Sequence, residues 1–296
     1  MRNPNGTRRG ASVRTAVWTA AALAAAALIP ACSGDAGSNL SGPTNTKVAT
    51  TLPTFGDFKA ALVAAQQENN GGLGFNMWGT IVDREGVVKA VVFTGDSPVD
   101  QWPGSRVISA QKANTANDFS LTAFSLSTAN LYAATQPGGS LFGLQESNPV
   151  DITVAYEGKL EDYGTEKDAL VGKKIGGVNV FGGGLALYAP DGSLIGALGV
   201  SGDASCADHI IAWKTRHALH LDYVPAGVAN GGLNANPNNT AGSTDNIIFD
   251  IGANGSSASG FGHPICDNPP AAASETSMQF IAEHLPQTNP IPQVVP

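Results

Sequence analysis

The sequence Leu185-Ala186-Leu187-Tyr188-Ala189-Pro190-Asp191-Gly192-Ser193-Leu194-Ile195-Gly196-Ala197-Leu198-Gly199-Val200 carries a strong β-hairpin signal. Two apolar runs, 185–188 and 193–200, flank the dipeptide Asp191-Gly192. Asp-Gly is typical of a two-residue turn, because both central residues of that turn need positive φ. We therefore predict two antiparallel strands. Glycines at 196, 199 and 202 leave the second strand without side chains at these positions, so that a helix or a ligand can approach its backbone. Close packing of a helix is the commoner reason for such glycines.

Other segments of the chain show strand or helix periodicity. Predicted strands are Met77–Val82, Val87–Phe93 and Gly177–Phe181, and predicted helices are Phe55–Gln67, Ser105–Phe119, Leu121–Ala134 and Ser205–Leu219. Together with the hairpin, this predicts an α+β protein in which helices pack on an antiparallel sheet. Residues 145–175 are polar, and we interpret their acids, Glu161, Asp162, Glu166 and Asp168, as a solvated face.

The composition excludes several classes of protein. The 296 residues include 24 acidic and 16 basic side chains, a formal net charge of −8 at pH 7. An acidic surface repels phosphate backbones, so nucleic acid is not an expected partner. No GxSxG, P-loop or GxGxxG pattern occurs, so the sequence provides no ground for assigning an enzymatic activity.

The N-terminus has the pattern of an export signal. Arg2, Arg8, Arg9 and Arg14 precede an apolar run at 16–29, which predicts a signal peptide over residues 1–31 and a location in the periplasm or cell envelope. Leu28-Ile29-Pro30-Ala31-Cys32 resembles the bacterial lipobox, which predicts a lipid on Cys32 as the sole membrane attachment. The alternative is ordinary cleavage near Ala31. Residues 32–54 are interpreted as a flexible tether.

The chain has three cysteines. With Cys32 assigned to processing, Cys206 and Cys266 form an even pair, and a disulfide is the expected state in an oxidising compartment. Closing a loop of about 60 residues stabilises a fold by roughly 4 kcal/mol in the chain-entropy model. Metal ligation is the alternative, but the pair lacks the CxxC spacing of a zinc site. The Gly/Asn/Pro-rich residues 226–296 are predicted to be an irregular extension, which this disulfide ties back to the body.

Four short motifs occur in order along the body of the chain. They are Val82-Asp83-Arg84-Glu85-Gly86, Lys112-Ala113-Asn114-Thr115-Ala116, Gly176-Gly177-Val178-Asn179-Val180 and Ile195-Gly196-Ala197-Leu198-Gly199-Val200-Ser201-Gly202, with Asp208 following. This set resembles the GlcG/HbpS haem-binding family over about residues 55–222, which we delimit as a domain at 55–225. The resemblance implies a profilin-like or PAS-like fold with a five-stranded antiparallel sheet flanked by helices. It also implies haem or tetrapyrrole binding, and often homo-oligomers.

The candidate ligands for haem follow from side-chain chemistry. Some members of the family ligate iron through a histidine on the first helix, but the segment 55–67 contains none. Imidazole and phenol groups that could replace it are His209, His217, His220, Tyr163 and Tyr223. Arg84 and Lys112 could bind propionates. The alternatives are a turn function for Arg84, a solvated Lys112, and simple packing for the histidines.

A second metal hypothesis concerns the last predicted helix. His217 and His220 are three residues apart and could share a metal with His209 and Asp222. Two functions therefore remain. The first is an exported protein that binds haem for capture, buffering or sensing, and the second is a non-catalytic oligomeric scaffold of the cell envelope that has kept the fold without a cofactor.

Overall fold

The computed structural model describes residues 52–230, 243–266, 281 and 284–291. The predicted signal peptide, Cys32 and most of the predicted tether lie outside the described residues. Among the helices of the described part, none has the length and apolar character needed to cross a bilayer.

The three long helices are close to their predicted bounds. The helices are α1 Phe55–Gln67, α2 Ser105–Asp118, α3 Tyr132–Thr135, α4 Leu144–Ser147, α5 Ile152–Ala155 and α6 Ser205–Ala218, with 3-10 turns at Thr128–Leu131 and Leu160–Asp162. The strands are β1 Trp78–Asp83, β2 Val88–Phe93, β3 Gly184–Tyr188, β4 Leu194–Ser201, β5 Ala229–Asn230 and β6 Ser243–Thr244. The α+β class is thereby confirmed.

The main sheet has four strands in the order β2-β1-β4-β3, and every neighbouring pair is antiparallel. The predicted hairpin is confirmed as β3–β4, but its turn is longer than the predicted two residues. The Gly192 N–H donates to the Ala189 carbonyl at 2.8 Å, and Gly192 has a φ of 78°, whereas the φ of Asp191 is not positive. Asp191 Oδ1 accepts the Ser193 N–H. Helix α2 covers one face, while α1 and α6 cover the other. Along β4, Leu198 and Val200 pack towards α1 and α6, and Ala197 packs towards α2.

Glycines in β3 and β4 bring α2 directly onto the sheet. A Cβ atom placed on Gly199 would lie 2.0 Å from the Ser109 carbonyl oxygen and 2.5 Å from the Ala113 nitrogen. At Gly184 the Cβ would lie 2.5 Å from the Lys112 carbonyl oxygen. No side chain fits at this spacing, so helix packing explains Gly199, as the sequence favoured. The other two glycines of the prediction lie against backbone outside α2: a Cβ on Gly196 would lie 2.2 Å from the Val82 carbonyl oxygen, and one on Gly202 would lie 2.5 Å from the Asn76 carbonyl oxygen.

The predicted fifth strand, Gly177–Phe181, is wrong, because the described main sheet has four strands. Gly176 and Gly177 have φ values of 63° and 83°, which are incompatible with a continuous strand. The next residues bond to α2 instead: the Asn179 N–H donates to the Thr115 Oγ1 at 3.0 Å. The predicted helix Leu121–Ala134 is also wrong, since helical turns occur only from Thr128 to Thr135.

The interpretation of Asp168 as a solvated acid is likewise wrong. Its carboxylate is buried and accepts hydrogen bonds from the Arg106 guanidinium, including one of 2.9 Å from Nε. The same guanidinium lies 3.7 Å above the ring of Tyr163. The segment that surrounds Asp168 is therefore fixed to α2 by a buried ion pair rather than exposed along its whole length.

The described parts of the extension pack into the body. The disulfide Cys206–Cys266 is present. A second attachment is the fully buried ion pair between Arg216 and Asp245, with N–O distances of 2.7 and 2.8 Å, and Ser125 donates a further hydrogen bond to the carboxylate. Ile247 belongs to the same apolar cluster as helices α1 and α6.

Asp245→Asn should lower the free energy of unfolding by about 3–5 kcal/mol, because it leaves the buried Arg216 charge without its partner. Glu157→Gln is the control, since its pair with Lys173 is 4.0 Å long and exposed, and should cost less than about 1 kcal/mol. Urea unfolding followed by circular dichroism measures both. Equal, small losses in the two variants would show that the Arg216–Asp245 pair does not stabilise the extension.

Candidate functional site

Residues of two of the four sequence motifs meet in a cleft between α2 and the start of α6. We call it the motif cleft; its volume is about 260 Å³. Its lining residues are Trp102, Ser105, Ile108, Lys112, Phe181, Ser201, Asp203, Ser205 and Asp208. Lys112 belongs to the second motif, Ser201 to the fourth, and Asp208 is the acid that follows, so segments distant in sequence form one site.

A buried ion pair lies at the base of this cleft. Lys112 is 1% exposed, and its Nζ donates to Asp208 Oδ2 at 2.7 Å and to the Val200 carbonyl at 3.1 Å. The other oxygen of Asp208 accepts the Asp203 N–H at 2.9 Å. The interpretation of Lys112 as a solvated lysine is therefore wrong, and its charge is used inside the protein.

Burial shifts the pKa values of Asp208 and Lys112 in the directions that favour their neutral forms. It raises the pKa of Asp208 to about 6, although the Lys112 ammonium and the Asp203 N–H act in the opposite direction. It lowers the pKa of Lys112, against the attraction of Asp208. A carboxyl group that titrates near neutral pH inside a cleft has the properties of a functional acid or base.

Aromatic side chains form the rim of the motif cleft. Trp102 and Phe181 are exposed, and the ring of Phe75 contacts Trp102 with a centroid distance of 5.3 Å. Asp203 holds the loop of Phe75 in place, since its carboxylate accepts the Leu73 and Phe75 N–H groups. Sequence analysis did not identify Trp102 or Asp203, although Asp203 lies between a strand-ending glycine and a helix.

A second cavity, which we call the α1 groove, lies between α1 and the end of α6. Its volume is about 710 Å³. Its lining residues are Leu52, Pro53, Thr54, Asp57, Ala60, Ala61, Pro190, Ala218, Leu219, His220 and Leu221. Most of these side chains are apolar, and His220 is the imidazole among them.

His220 is exposed at the point where α6 ends. Its φ of 54° is left-handed, and its N–H donates to the His217 carbonyl at 2.9 Å, which closes the helix. Its side chain makes no hydrogen bond to another described residue. The imidazole therefore remains available to a ligand in the α1 groove.

His217 is held by a carboxylate. Its Nδ1 lies 2.7 Å from Oδ2 of the buried Asp222, and this hydrogen bond raises the pKa of His217. Because Nδ1 is bound to the carboxylate, Nε2 is the ring nitrogen that a metal would bind. Metal-bound histidines are often oriented in this way by an acid. His217 does not line the α1 groove.

The other predicted ligands lie outside both cavities. His209 is fully buried, its Nε2 lies 3.0 Å from Asn246 Oδ1, and burial lowers its pKa to about 4. Tyr163 packs under Arg106, and Tyr223 packs beside the cluster of β3 and β4. Arg84 lies in the turn between β1 and β2 and donates to the Asn117 carbonyl at 2.6 Å, so it stabilises the end of α2.

The predicted metal set of His209, His217, His220 and Asp222 comes together only in part: His217 contacts Asp222, whereas His209 is buried against Asn246 and His220 lines the α1 groove. Among the described residues, the group with clustered ligand atoms is Cys206, His263 and Cys266. Its two sulfur atoms are bonded to each other in the disulfide.

A comparison with known families identifies the family of this chain. The chain belongs to the HbpS-like family, because the model described as "Haem degrading protein HbpS-like" matches residues 56–216, more than half of the chain. The match includes all four motifs and most of α6, and it ends before the C-terminal extension.

Two solved structures are similar to this chain. A PduOC–haem complex is 27% identical, with a TM-score of 0.39, and the match covers 57% of this chain and 95% of that one. The Klebsiella pneumoniae protein ORFY, of the family DUF336, is 23% identical, with a TM-score of 0.38 and coverages of 56% and 89%. Among curated proteins, none matches the chain.

Lys112→Met should lower the free energy of unfolding, relative to the wild type at the same pH, by more at pH 8 than at pH 5. Removal of the ammonium raises the pKa of Asp208 further above the value of about 6 that it has beside Lys112. An acid whose folded-state pKa exceeds its unfolded value loses stability as pH rises between the two values. The loss in the variant therefore extends to higher pH than in the wild type.

Urea unfolding at pH 5, 6.5 and 8 measures this difference. Lys89→Met is the matched control, because its partner Asp83 is only partly buried and has a lowered pKa, so that it titrates below this range. If the difference in free energy of unfolding between Lys112→Met and the wild type is the same at all three pH values, the titration of Asp208 is not coupled to Lys112.

Proposed function

We propose that the protein binds haem or a related tetrapyrrole in the α1 groove, with His220 as the iron ligand. The observation that carries the proposal is an exposed imidazole in the wall of a large apolar cavity. Membership of a family described as haem degrading supports haem as the ligand. The groove lies against α1, where some family members have their ligating histidine, and α6 provides the imidazole from the opposite wall.

Size and chemistry favour the α1 groove over the motif cleft. Cavities for small molecules and cofactors usually measure about 300–1,000 Å³, and the groove falls within this range at about 710 Å³. The motif cleft, at about 260 Å³, is smaller than this range. Its lining also contains none of the His, Cys, Met or Tyr side chains that ligate haem iron.

The residues of the groove fit the two parts of a haem molecule. Leu219 and Leu221 offer apolar contact to the porphyrin, and the His220 imidazole offers a nitrogen ligand to the iron. Bound haem would itself supply any redox chemistry of degradation. The chain's own residues bind and orient it, so we propose binding for capture, buffering or sensing.

We further propose that this binding takes place outside the cytoplasm. The basic and apolar pattern of residues 1–31 supports export to the periplasm or cell envelope, and the sequence around Cys32 supports a lipid anchor. The disulfide Cys206–Cys266 agrees with an oxidising compartment. The family resemblance supports a homo-oligomer.

Haem titration of the oxidised protein, residues 33–296, tests the proposal. We expect a shifted Soret band that saturates near one haem per chain. His220→Ala should weaken binding by at least about tenfold, or about 1.4 kcal/mol, because the iron loses its protein ligand. His217→Ala, three residues earlier in the last turn of α6, is the matched control and should retain the affinity, since His217 does not line the groove.

A free-haem spectrum at stoichiometric wild-type protein would contradict haem binding and favour the scaffold function. A Soret shift that is lost in His217→Ala but kept in His220→Ala would contradict the assignment of His220. In that case His217, held by Asp222, would be the ligand.

A further inference from the structure

A serine and a histidine from different parts of the chain meet beside the motif cleft. The Ser205 Oγ lies 2.8 Å from the His263 Nε2. Ser205 is the first residue of α6 and lines the cleft, whereas His263 belongs to the C-terminal extension. The two residues are 58 positions apart, so no sequence motif reveals the pair.

The hydrogen bonds fix the direction of the proton in this pair. The His263 Nδ1 lies 2.7 Å from the Pro264 carbonyl oxygen, which can only accept, so Nδ1 carries the hydrogen. Nε2 is then an acceptor, and the Ser205 hydroxyl donates to it. The Gly182 N–H donates to the same hydroxyl oxygen at 2.7 Å, which holds Oγ in position.

The surroundings keep the imidazole rigid and neutral. His263 is 3% exposed, and its ring contacts Tyr132 with a centroid distance of 5.1 Å. Burial lowers the pKa of His263 to about 4, so the ring is unprotonated at neutral pH. The disulfide between Cys206 and Cys266 fixes both partners, because each cysteine lies within three residues of one of them.

We propose that Ser205 and His263 form a nucleophile–base pair that hydrolyses small uncharged carboxylic esters in the motif cleft. Nucleophilic serines are recognised by a base within hydrogen-bond reach that is itself oriented by a third group. Here the third group is the Pro264 carbonyl. The start of α6 adds a positive dipole end beside Ser205, where negative charge develops in acyl transfer.

The reaction balances with water as the co-reactant. His263 Nε2 takes the hydroxyl proton while Ser205 Oγ forms a bond to the ester carbonyl carbon. The carbon–alkoxy bond then breaks, and the leaving alcohol takes the proton from Nε2. Water attacks the acyl-serine and gives a proton to Nε2, and the carbon–Oγ bond breaks as this proton returns to Ser205 Oγ. The products are an alcohol and a carboxylic acid.

The lining of the motif cleft sets the substrate class. Trp102, Ile108 and Phe181 provide apolar contact for an acyl or alkyl group, and the volume of about 260 Å³ limits its size. Asp203 and Asp208 disfavour an anionic substrate, because they place carboxyl groups in the same cleft. A short-chain neutral ester meets these conditions.

Covalent labelling of the wild-type protein tests the nucleophile without requiring a variant to fold. A fluorophosphonate probe, followed by peptide mass spectrometry, should modify Ser205 and leave Ser193, a half-buried serine beside the β3–β4 turn, unmodified. Hydrolysis of p-nitrophenyl butyrate should fall at least about 100-fold in Ser205→Ala, while Ser193→Ala should keep the wild-type rate. The wild-type rate should be constant from pH 7 to 8, because His263 is neutral and Asp208, with a pKa of about 6, is largely ionised over this range.

Two further measurements separate catalysis from a structural role of the same hydrogen bond. His263→Gln should abolish labelling of Ser205, with a circular dichroism spectrum like that of the wild type. If this variant does not fold, the labelling of wild-type Ser205 still decides the question. Absence of a label on wild-type Ser205, or hydrolysis that persists in Ser205→Ala, would overturn the proposal.

Discussion

The close approach of α2 to β4 at Gly199 is the constraint on which the other features depend. With no side chain at this position, the helix backbone lies against the strand, and Lys112 can reach past β4 to Asp208 at the start of α6. Because Lys112 also bonds the Val200 carbonyl, this ion pair joins the two helical layers through the end of the central strand. The motif cleft forms where they meet.

Helix α6 separates the two candidate sites. Its first turn provides Ser205 and Asp208 to the motif cleft, and its end provides His220 to the α1 groove. Between them, Arg216 binds Asp245 of the extension. The extension thus supplies the partner of a buried arginine in the body of the protein. It also supplies His263, the proposed base.

Local patterns were sufficient to predict α1, α2, α6 and the β3–β4 hairpin, because their periodicity and turn residues agree with the final packing. They failed at Gly177–Phe181, where an apolar composition suggested a strand but positive-φ glycines and a bond to Thr115 prevent one. They also failed for buried charges. Lys112 and Asp208 are 96 residues apart, and Arg106 and Asp168 are 62 apart. The sequence around one residue of each pair therefore does not reveal its partner.

We propose that haem occupies the α1 groove rather than the motif cleft. Paramagnetic broadening of amide resonances by substoichiometric ferric haem, measured by NMR on the ¹⁵N-labelled protein, locates the iron directly. The account predicts broadening centred on Ala61, Leu219 and His220, with Ile108 and Ser205 much less affected. Broadening centred on Ile108 and Ser205 would contradict the account and place the haem in the motif cleft.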